Sequence, residues 1–526
     1  MSVHIVLDNP HTFYTNLDFI SGRIILSLTA DENVSAITVK LEGESRTLLA
    51  RALNPQQAYG PYARRDARQT IAMENHKILY RVKQVFPSLE PGSSTSLGLA
   101  YTLRAGKHEY PFRFKMPFNN GCSDPHTQQV GQGSGFAGFG KALGEFQQMQ
   151  YKHVKRTLPP SLTGFPGEAE IRYYIKVTVQ RPSLFKENRR SAIGFKFMPI
   201  EPPRPPHTSN EAFARRPYAF QTIAGVAKKK GFFGKAPSKL SDTPPKGELD
   251  ARLPSPPILT CNEPVPLRLL LRKTAESPEQ VYLMALQVNL IGSTEVRAQD
   301  VKRTEISTWV LMSLGGLSLP IGKPDDALRT ETLVDPDLWN QIPLPNTVAP
   351  SFSTCNLTRS YELEVQVTLA YGVPGDIQVC GSWIFIFTGT DTYSQPQKIT
   401  LPLRFHVEVY SGIKPPDALI TAMAARPTPE APALPTRPSG AQAPNGADPL
   451  YPPQLGTTQA GGFDEAPPSY EDAMADEITP ADGPRREYSG VTDVEAPGLD
   501  EKGAAPKYSA TQDSAGPSGS GLGPSR

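Results

Sequence analysis

The sequence predicts an all-β protein with two β-sandwich domains in tandem, followed by a disordered Pro-rich tail. Three observations support this fold class. Apolar and polar residues alternate along many segments, as they do in strands that bury one face. Turns rich in Pro and Gly separate these segments. Beyond Gly412 the alternation stops, and Pro, Ala, Gly and Ser leave few large apolar residues to offset the conformational entropy of the chain.

The composition excludes several classes of protein. Among 526 residues, 55 Pro and 42 Gly indicate that a substantial part is not packed into a core. The four cysteines are scattered without the pattern of a disulfide framework, which suits a reducing cytosol. The N-terminus shows no signal segment, and apolar runs such as Leu267–Arg272 are short and broken by charge, so we expect no membrane span.

Charge divides the chain into two parts. From Lys414 to the end, 8 Lys and Arg stand against 16 Asp and Glu, a net charge of −8. The total of +2 leaves +10 for residues 1–413. The sequence therefore combines a basic body with an acidic tail.

Residues 1–185 are predicted to form the first sandwich. Apolar residues alternate with polar ones in Ile37–Glu42 and in Tyr110–Met116. The clearest alternation is Ala169–Gln180, where Ile171 and every second residue after it are apolar or aromatic. Each segment is expected to turn its apolar side toward the core.

Five stretches of this region carry a family resemblance. In order, they are Gly22–Leu28, Ile37–Gly43, Gly106–Pro117, Leu158–Leu162 and Ile171–Pro182. They resemble the successive signatures of an arrestin N-domain, and their order and spacing match the α-arrestins, especially fungal arrestin-related trafficking adaptors. The resemblance covers residues 1 to about 200, and more weakly 255–410. It implies two immunoglobulin-like arrestin β-sandwich domains.

An insert at 119–157 departs from the short connection of that family. Its Gly-rich part is followed by a predicted amphipathic helix over 141–155. The stretch Gly133–Gly138 satisfies the pattern of a dinucleotide-binding loop, but no strand precedes it, so we expect no nucleotide site. Whether the helix packs on the sandwich or binds a membrane or a partner is left open.

Residues 186–251 are predicted to be a basic, flexible linker. Between positions 186 and 239, 12 Lys and Arg stand against 3 Glu, which a solvated connection would explain. Alternatively, the positive field attracts anionic lipid, at about 1 kcal/mol per basic residue near the surface, or acidic cytosolic segments of membrane proteins. The residues of this basic patch are Lys228, Lys229, Lys230 and Lys235. No nucleic-acid-binding fold is recognisable, so we expect no nucleic acid as a partner.

Residues 252–412 are predicted to form the second sandwich. Apolar residues alternate in Tyr282–Leu290, in Tyr361–Leu369 and in Ile399–Val409, where His406 is expected on the surface. The continuous apolar run Ile384–Phe387 predicts a strand covered on both faces.

The tail, residues 413–526, contains the motif Pro467-Pro468-Ser469-Tyr470. The two prolines favour a polyproline II turn, and Tyr470 follows as a flat aromatic anchor, which is the ligand that the groove of a WW domain accepts. A Pro-rich tail also produces such a match by chance. Two degraded copies each lack the first proline and are possible secondary sites; their residues are Pro449, Tyr451, Pro506 and Tyr508.

Signals for catalysis and for bound metal are weak in this sequence. Cys122 and His126 are the only close Cys–His pair, whereas a structural zinc site takes four ligands, usually at paired spacing. No signature of a catalytic nucleophile is recognisable. We therefore expect a protein without enzymatic activity, cofactor or metal.

The family resemblance implies a function in membrane-protein turnover. By that resemblance, Pro467, Pro468 and Tyr470 recruit the WW domains of a HECT-type ubiquitin ligase. The arrestin body holds the cytosolic tail of a plasma-membrane transporter or receptor, and the ligase marks it for endocytosis. The expected location is the cytoplasm, with peripheral recruitment to the plasma membrane and endosomes. The alternative is a signalling scaffold bound to a membrane sensor, of the type of the ambient-pH arrestins.

Overall fold

The computed structural model of the protein describes eleven parts of the chain. They are residues 1–8, 10–51, 71–88, 100–122, 156–165, 168–182, 187–206, 208–221, 243–371, 398–424 and 478–480. Most of the described residues lie in strands and very few lie in helices, which confirms the all-β prediction.

The first sandwich is built from strands β1 to β10. One layer has the antiparallel order β1-β2-β7, and the other has the order β10-β9-β4-β5, with β8 paired to β9. Strands β3 and β6 form a separate two-stranded sheet. The strands are β1 (Ser2–Leu7), β2 (Phe19–Leu28), β3 (Glu32–Val34), β4 (Ala36–Ala50), β5 (Ile71–Phe86), β6 (Tyr101–Leu103), β7 (Gly106–Lys115), β8 (Leu162–Phe165), β9 (Ala169–Gln180) and β10 (Arg189–Phe195).

The core of the first sandwich forms where the apolar sides of the two layers face each other. Ile24 of β2, Leu41 of β4 and Ile175 of β9 have no exposed surface, and Phe112 and Phe114 of β7 are also buried. Burial of one such side chain is worth about 1.5–3 kcal/mol. The alternation predicted for β7 and β9 is confirmed, whereas in β4 the polar residues Thr38 and Glu42 are buried as well.

The second sandwich is built from strands β11 to β20. One layer has the order β11-β12-β14-β17, and the other has the order β13-β20-β19-β15-β16, with β18 paired to β19. The strands are β11 (Glu211–Ala219), β12 (Lys246–Pro254), β13 (Ile258–Thr260), β14 (Arg268–Lys273), β15 (Val281–Ala298), β16 (Val301–Ile321), β17 (Glu331–Leu333), β18 (Phe352–Ser353), β19 (Leu357–Tyr371) and β20 (Lys398–Tyr410). A 3₁₀ turn, Pro336–Leu338, follows β17.

The burial pattern of β20 confirms the predicted last strand. Leu401, Phe405 and Val409 are buried, whereas Arg404 and His406 between them are exposed. His406 is therefore a surface residue, as expected, with Glu362 beside it. The run Ile384–Phe387 lies outside the described residues.

The prediction of a flexible linker over 186–251 is wrong where strands β10, β11 and the start of β12 lie. Strand β10 is an edge strand of the first sandwich, and β11 pairs along its whole length with β12 in the second. The basic residues that suggested a solvated connection include strand residues with acidic partners: Arg215 donates to Asp250 over 2.9 Å. The first sandwich thus continues past residue 185, and the second begins before residue 252.

The connection between the sandwiches is itself fixed. Glu201 is buried and accepts two hydrogen bonds, of 2.8 and 2.9 Å, from the guanidinium of Arg204. Arg204 also donates to Thr260 Oγ1 of the second sandwich over 2.9 Å. A buried carboxylate is unstable without a cation beside it, so Glu201 keeps Arg204 in place. Because Arg204 also bonds Thr260, the connection is attached to the second sandwich.

One short helix follows the second sandwich. At the end of β20, Gly412 adopts a φ of +79°, and the chain turns so that Ile413 O accepts a hydrogen bond from Glu201 N. Helix α1 (Asp417–Ala424) follows. Within the described residues, no helix has both the length and the hydropathy needed to cross a membrane.

Candidate functional site

A polar clasp joins the two sandwiches. Asn356 of the second sandwich is buried; its Oδ1 accepts a hydrogen bond from Ser45 Oγ over 2.7 Å, and its Nδ2 donates to Ser45 O over 3.1 Å. Thr47 Oγ1 donates to the carbonyl oxygen of Arg297 over 2.6 Å. We call Ser45, Thr47 and Asn356 the junction clasp. Buried polar groups of this kind hold one relative orientation, because any shift leaves them unsatisfied.

Apolar packing continues across the same junction. Val296 and Ala298 at the end of β15, and Leu357 at the start of β19, are buried within the core of the first sandwich. The second sandwich thus contributes residues to the core of the first.

Glu74 of β5 is the charged centre of the junction. It is buried, and its carboxylate accepts hydrogen bonds from Arg297 Nη2 and from Gln299 N, each over 2.8 Å. The same Arg297 nitrogen donates to Cys355 O over 2.6 Å. Two residues of the second sandwich therefore hold one carboxylate of the first.

A cluster of one imidazole and two thiols lies beside Glu74. His76 Nε2 is 2.6 Å from Glu74 Oε1, and His76 Nδ1 is 3.3 Å from Cys122 Sγ. Cys355 Sγ lies 3.7 Å from Cys122 Sγ. His76 and Cys122 are buried and Cys355 is half-buried. Burial disfavours a charge on His76, but Cys355 and Glu74 outweigh it and raise the pKa of His76 to about 8.

No local pattern in the sequence marks this cluster. His76 and Cys122 are 46 residues apart, and Cys355 is 233 residues from Cys122. Spacing within a short stretch singled out His126 as the neighbour of Cys122, and His126 lies outside the described residues. Only the folded junction brings the three side chains together.

A cavity of about 790 Å³ opens between the two sandwiches. Arg156 and Leu158 line it from the first sandwich, and Arg359 and Val407 from the second. Arg359 is buried with its guanidinium about 5.1 Å from the ring centres of both Trp309 and Tyr361. The cavity has the volume of a ligand or peptide pocket.

A segment of the tail packs beside this cavity. Ile478 is buried against Leu17, Phe118, Ile200 and Leu419, which we call the tail-docking cluster. Lys115 Nζ donates to the carbonyl oxygen of Ile478 over 2.6 Å. The predicted disordered tail is thus wrong for α1 and for residues 478–480, because Leu419 and Ile478 are apolar side chains that find a buried site.

Asn16 links segments of the body that contribute to the tail-docking cluster. Its Nδ2 donates to Phe118 O over 2.9 Å, and its Oδ1 accepts from Ile200 N over 2.9 Å. These bonds bring Leu17, Phe118 and Ile200 together from three separated stretches of chain. The docking surface is therefore part of the folded body and is not created by the tail.

Several cations lie on the outer face of the first sandwich, and three of them form one group. Lys40 and Lys176 are direct neighbours on β4 and β9, and Arg190 of β10 lies beside them. Burial lowers the pKa of Lys176, and the like charges of Lys77, Arg190 and Lys40 lower it further, against the opposing effect of Glu42. We call Lys40, Lys176 and Arg190 the basic face.

The tail and linker residues predicted to bind partners lie outside the described residues. This holds for the WW-binding motif Pro467, Pro468 and Tyr470, for the secondary motifs at Pro449, Tyr451, Pro506 and Tyr508, and for the basic patch Lys228, Lys229, Lys230 and Lys235. The insert helix over 141–155 lies outside them as well. These assignments stay predictions.

Comparison with known proteins agrees with the fold. Residues 3–138 match the family model described as "Arrestin (or S-antigen), N-terminal domain". A curated relative, Arrestin-related trafficking adapter 10 of Lachancea thermotolerans, is 24% identical over 138 residues. That match covers 24% of this chain and 30% of the relative, so it spans less than a third of the relative's length. The resemblance to arrestins inferred from the sequence is confirmed for this region.

Proposed function

We propose that this chain, whose residues 3–138 match the family model of the arrestin N-terminal domain, is an adaptor between a ubiquitin ligase and membrane cargo. In this proposal a HECT-type ligase binds the tail through its WW domains. The body binds a plasma-membrane transporter or receptor, which is then ubiquitinated and endocytosed. The curated relative is named a trafficking adapter, which supports an adaptor function for this chain.

The observation that carries the proposal is the docked tail segment. Tyr470 precedes Ile478 by eight residues, so it lies no more than about 29 Å of extended chain from the tail-docking cluster. A ligase bound at Tyr470 is thus tethered close to whatever the body holds. Tethering of this kind raises the local concentration of one bound partner near the other.

Pro467, Pro468 and Tyr470 have the chemistry of a WW ligand. The prolines favour the extended conformation before binding, so little entropy is lost when the motif enters an aromatic groove. The copies at Pro449 and Tyr451 and at Pro506 and Tyr508 lack one proline and act by avidity, which multiplies apparent affinity by about 10²–10⁴ where both sites engage.

The basic face supports the cargo side of the proposal. Lys40, Lys176 and Arg190 present positive charge on one sheet surface, and acidic cytosolic segments of membrane proteins are the complementary partner. The basic patch Lys228, Lys229, Lys230 and Lys235 adds charge for anionic membrane lipid.

Binding of isolated WW domains to the full-length protein tests the ligase side. Wild type should bind, Pro468→Ala and Tyr470→Ala should lose most of the affinity, and Tyr508→Ala should change it little, as the matched control. Binding that survives Tyr470→Ala would overturn the assignment of the motif.

A signalling scaffold is the alternative, and cell experiments separate the two functions. With Tyr470→Ala, an adaptor for turnover leaves its cargo at the cell surface, whereas a scaffold keeps cargo levels constant and loses a downstream signal.

A further inference from the structure

The three ligand-type side chains at the junction come from three distant parts of the chain. His76 lies on β5, Cys122 follows β7, and Cys355 lies between β18 and β19 of the second sandwich. Their ligand atoms all lie within 4.8 Å of one another. One imidazole nitrogen and two sulfurs form a donor set that zinc prefers.

The distances fit a tetrahedral ion. Zinc binds sulfur at about 2.3 Å and imidazole nitrogen at about 2.0–2.1 Å, which separates two sulfurs by about 3.8 Å and nitrogen from sulfur by about 3.5 Å. The two sulfurs are 3.7 Å apart, and His76 Nδ1 lies 3.3 Å from Cys122 Sγ. These two separations thus lie within a few tenths of an ångström of those in a tetrahedral site, and the third pair of ligand atoms lies within 4.8 Å.

The surroundings orient the donors as they do in metal sites. Glu74 engages Nε2 of His76 over 2.6 Å, which directs the lone pair of Nδ1 toward the sulfurs. A carboxylate behind a ligating histidine is a recurrent feature of zinc sites. Arg297 holds both Glu74 and the carbonyl oxygen of Cys355, so both sides of the cluster are fixed from the second sandwich.

We propose that His76, Cys122 and Cys355 bind a zinc ion that ties the two sandwiches together. Each thiol and the imidazolium of His76 release a proton to solvent as the metal binds, His76 then binds through its neutral Nδ1, and water takes the fourth position. Because two ligands belong to the first sandwich and one to the second, the ion fixes the relative orientation that the junction clasp sets. The proposal goes beyond the ligase adaptor function and does not depend on it.

A disulfide between Cys122 and Cys355 is the competing reaction. It requires the sulfurs to approach from 3.7 Å to about 2.05 Å, and it leaves His76 Nδ1 without a role. Zinc accepts the sulfurs near their present separation and uses all three side chains, so the geometry favours the metal.

Metal content of the full-length protein, purified under reducing conditions without chelator, is the first test. Elemental mass spectrometry should find about one zinc per chain. After chelation, added Co²⁺ should give the sulfur-to-cobalt charge-transfer bands of a tetrahedral thiolate site. Absence of stoichiometric zinc together with absence of these bands would overturn the proposal, whether the thiols are then free or joined in a disulfide.

Two serine variants locate the site. Cys355→Ser should weaken zinc binding at least 100-fold and remove most of the charge-transfer absorption. Cys261→Ser is the matched control, since Cys261 is a buried thiol that donates to Val348 O and lies outside the cluster. Burial raises the pKa of Cys261 to about 12, so its thiol stays protonated and unreactive. Equal zinc binding by both variants would contradict the assignment.

Discussion

Lys77 is the residue on which the charge balance of the first sandwich depends. It contacts the carboxylates of Glu42 and Glu44, and Tyr174 Oη lies 2.9 Å from Glu42 Oε2 and 2.6 Å from Glu44 Oε1. The side chain of Lys77 is only 11% exposed and that of Glu42 only 6%. Two carboxylates that are this well shielded from solvent repel each other unless a cation lies between them.

Replacement of that cation should destabilise the fold. Lys77→Met leaves Glu42 and Glu44 facing each other, and loss of one partner of a buried ion pair costs about 3–5 kcal/mol. Denaturant unfolding of the purified protein measures the loss. Lys107→Met is the control, because Lys107 pairs with Glu109 at 60% exposure and surface pairs contribute about 0–1 kcal/mol. Equal losses in the two variants would refute the role given to Lys77.

The same cluster predicts a pH dependence. Burial tends to raise the pKa of Glu42, but Lys77 and Tyr174 outweigh it and hold that pKa below its ordinary value of 4.5. Since the unfolded chain then binds the proton more tightly, the contribution of Glu42 to stability is present above pH 4.5 and is lost as the pH falls through the lowered pKa. The unfolding free energies of wild type and Glu42→Gln should therefore converge once the pH is below the lowered pKa of Glu42. A constant difference down to acid would contradict this reasoning.

The burial of Tyr174 is a property that its own strand sequence does not predict. On β9 it alternates with the core residues Tyr173 and Ile175, so it belongs to the face whose other members are mostly polar. It does lie on that face, yet it is buried, because the Lys77 cluster covers it. Its partners Glu42 and Glu44 lie on β4 and Lys77 lies on β5, so the residue pattern of β9 alone cannot predict that Tyr174 is buried.

At the scale of elements, strands with one buried face were predictable and others were not. The predicted bounds of β9 match the structure, and β20 differs by one residue at each end, because period-two alternation follows directly from half-burial. The sequence predicts a linker where strand β11 lies, because Arg215 and Arg216 belong to the run of basic residues between positions 186 and 239. Its acidic partners Glu248 and Asp250 lie on β12, so only pairing reveals it.

The tail-docking cluster makes a prediction about the tail. Ile478→Asp places a charge in an apolar site and should release residues 478–480 from the body, while the sandwiches stay folded. Hydrogen exchange should show loss of protection at Phe118 and Ile200 with an unchanged melting temperature. Thr479→Ala is the control, because Thr479 is exposed. Unchanged protection in Ile478→Asp would show that docking does not occur in solution.

At the scale of the whole molecule, the two sandwiches behave as a unit because the junction clasp and shared core join them. Asn356→Ala removes the partner of Ser45 and should cost about 1–3 kcal/mol through unsatisfied buried groups. Asn340→Ala, at an exposed turn, should change little. Hydrogen exchange at Thr47 and Arg297 should rise in the first variant alone. A junction that stays protected in Asn356→Ala would show that apolar packing suffices.

The site at the junction is the part that sequence could least predict. Motif reading finds ligands within a few residues of each other, whereas His76, Cys122 and Cys355 converge through pairing of β5 with β4 and through contact between two domains. By contrast, the WW-binding motif is linear, so the sequence displays it in full at Pro467–Tyr470.

The most direct measurement of the central claim is the cell-surface abundance and ubiquitination of plasma-membrane proteins. Cells would carry wild type, Tyr470→Ala or the control Tyr488→Ala as their only copy of this chain; Tyr488 is a tail tyrosine outside the three motifs. The adaptor account predicts that with Tyr470→Ala at least one transporter or receptor loses its ubiquitin and accumulates at the surface, while Tyr488→Ala resembles wild type. Surface proteins that keep wild-type abundance and ubiquitination in Tyr470→Ala cells would contradict the account.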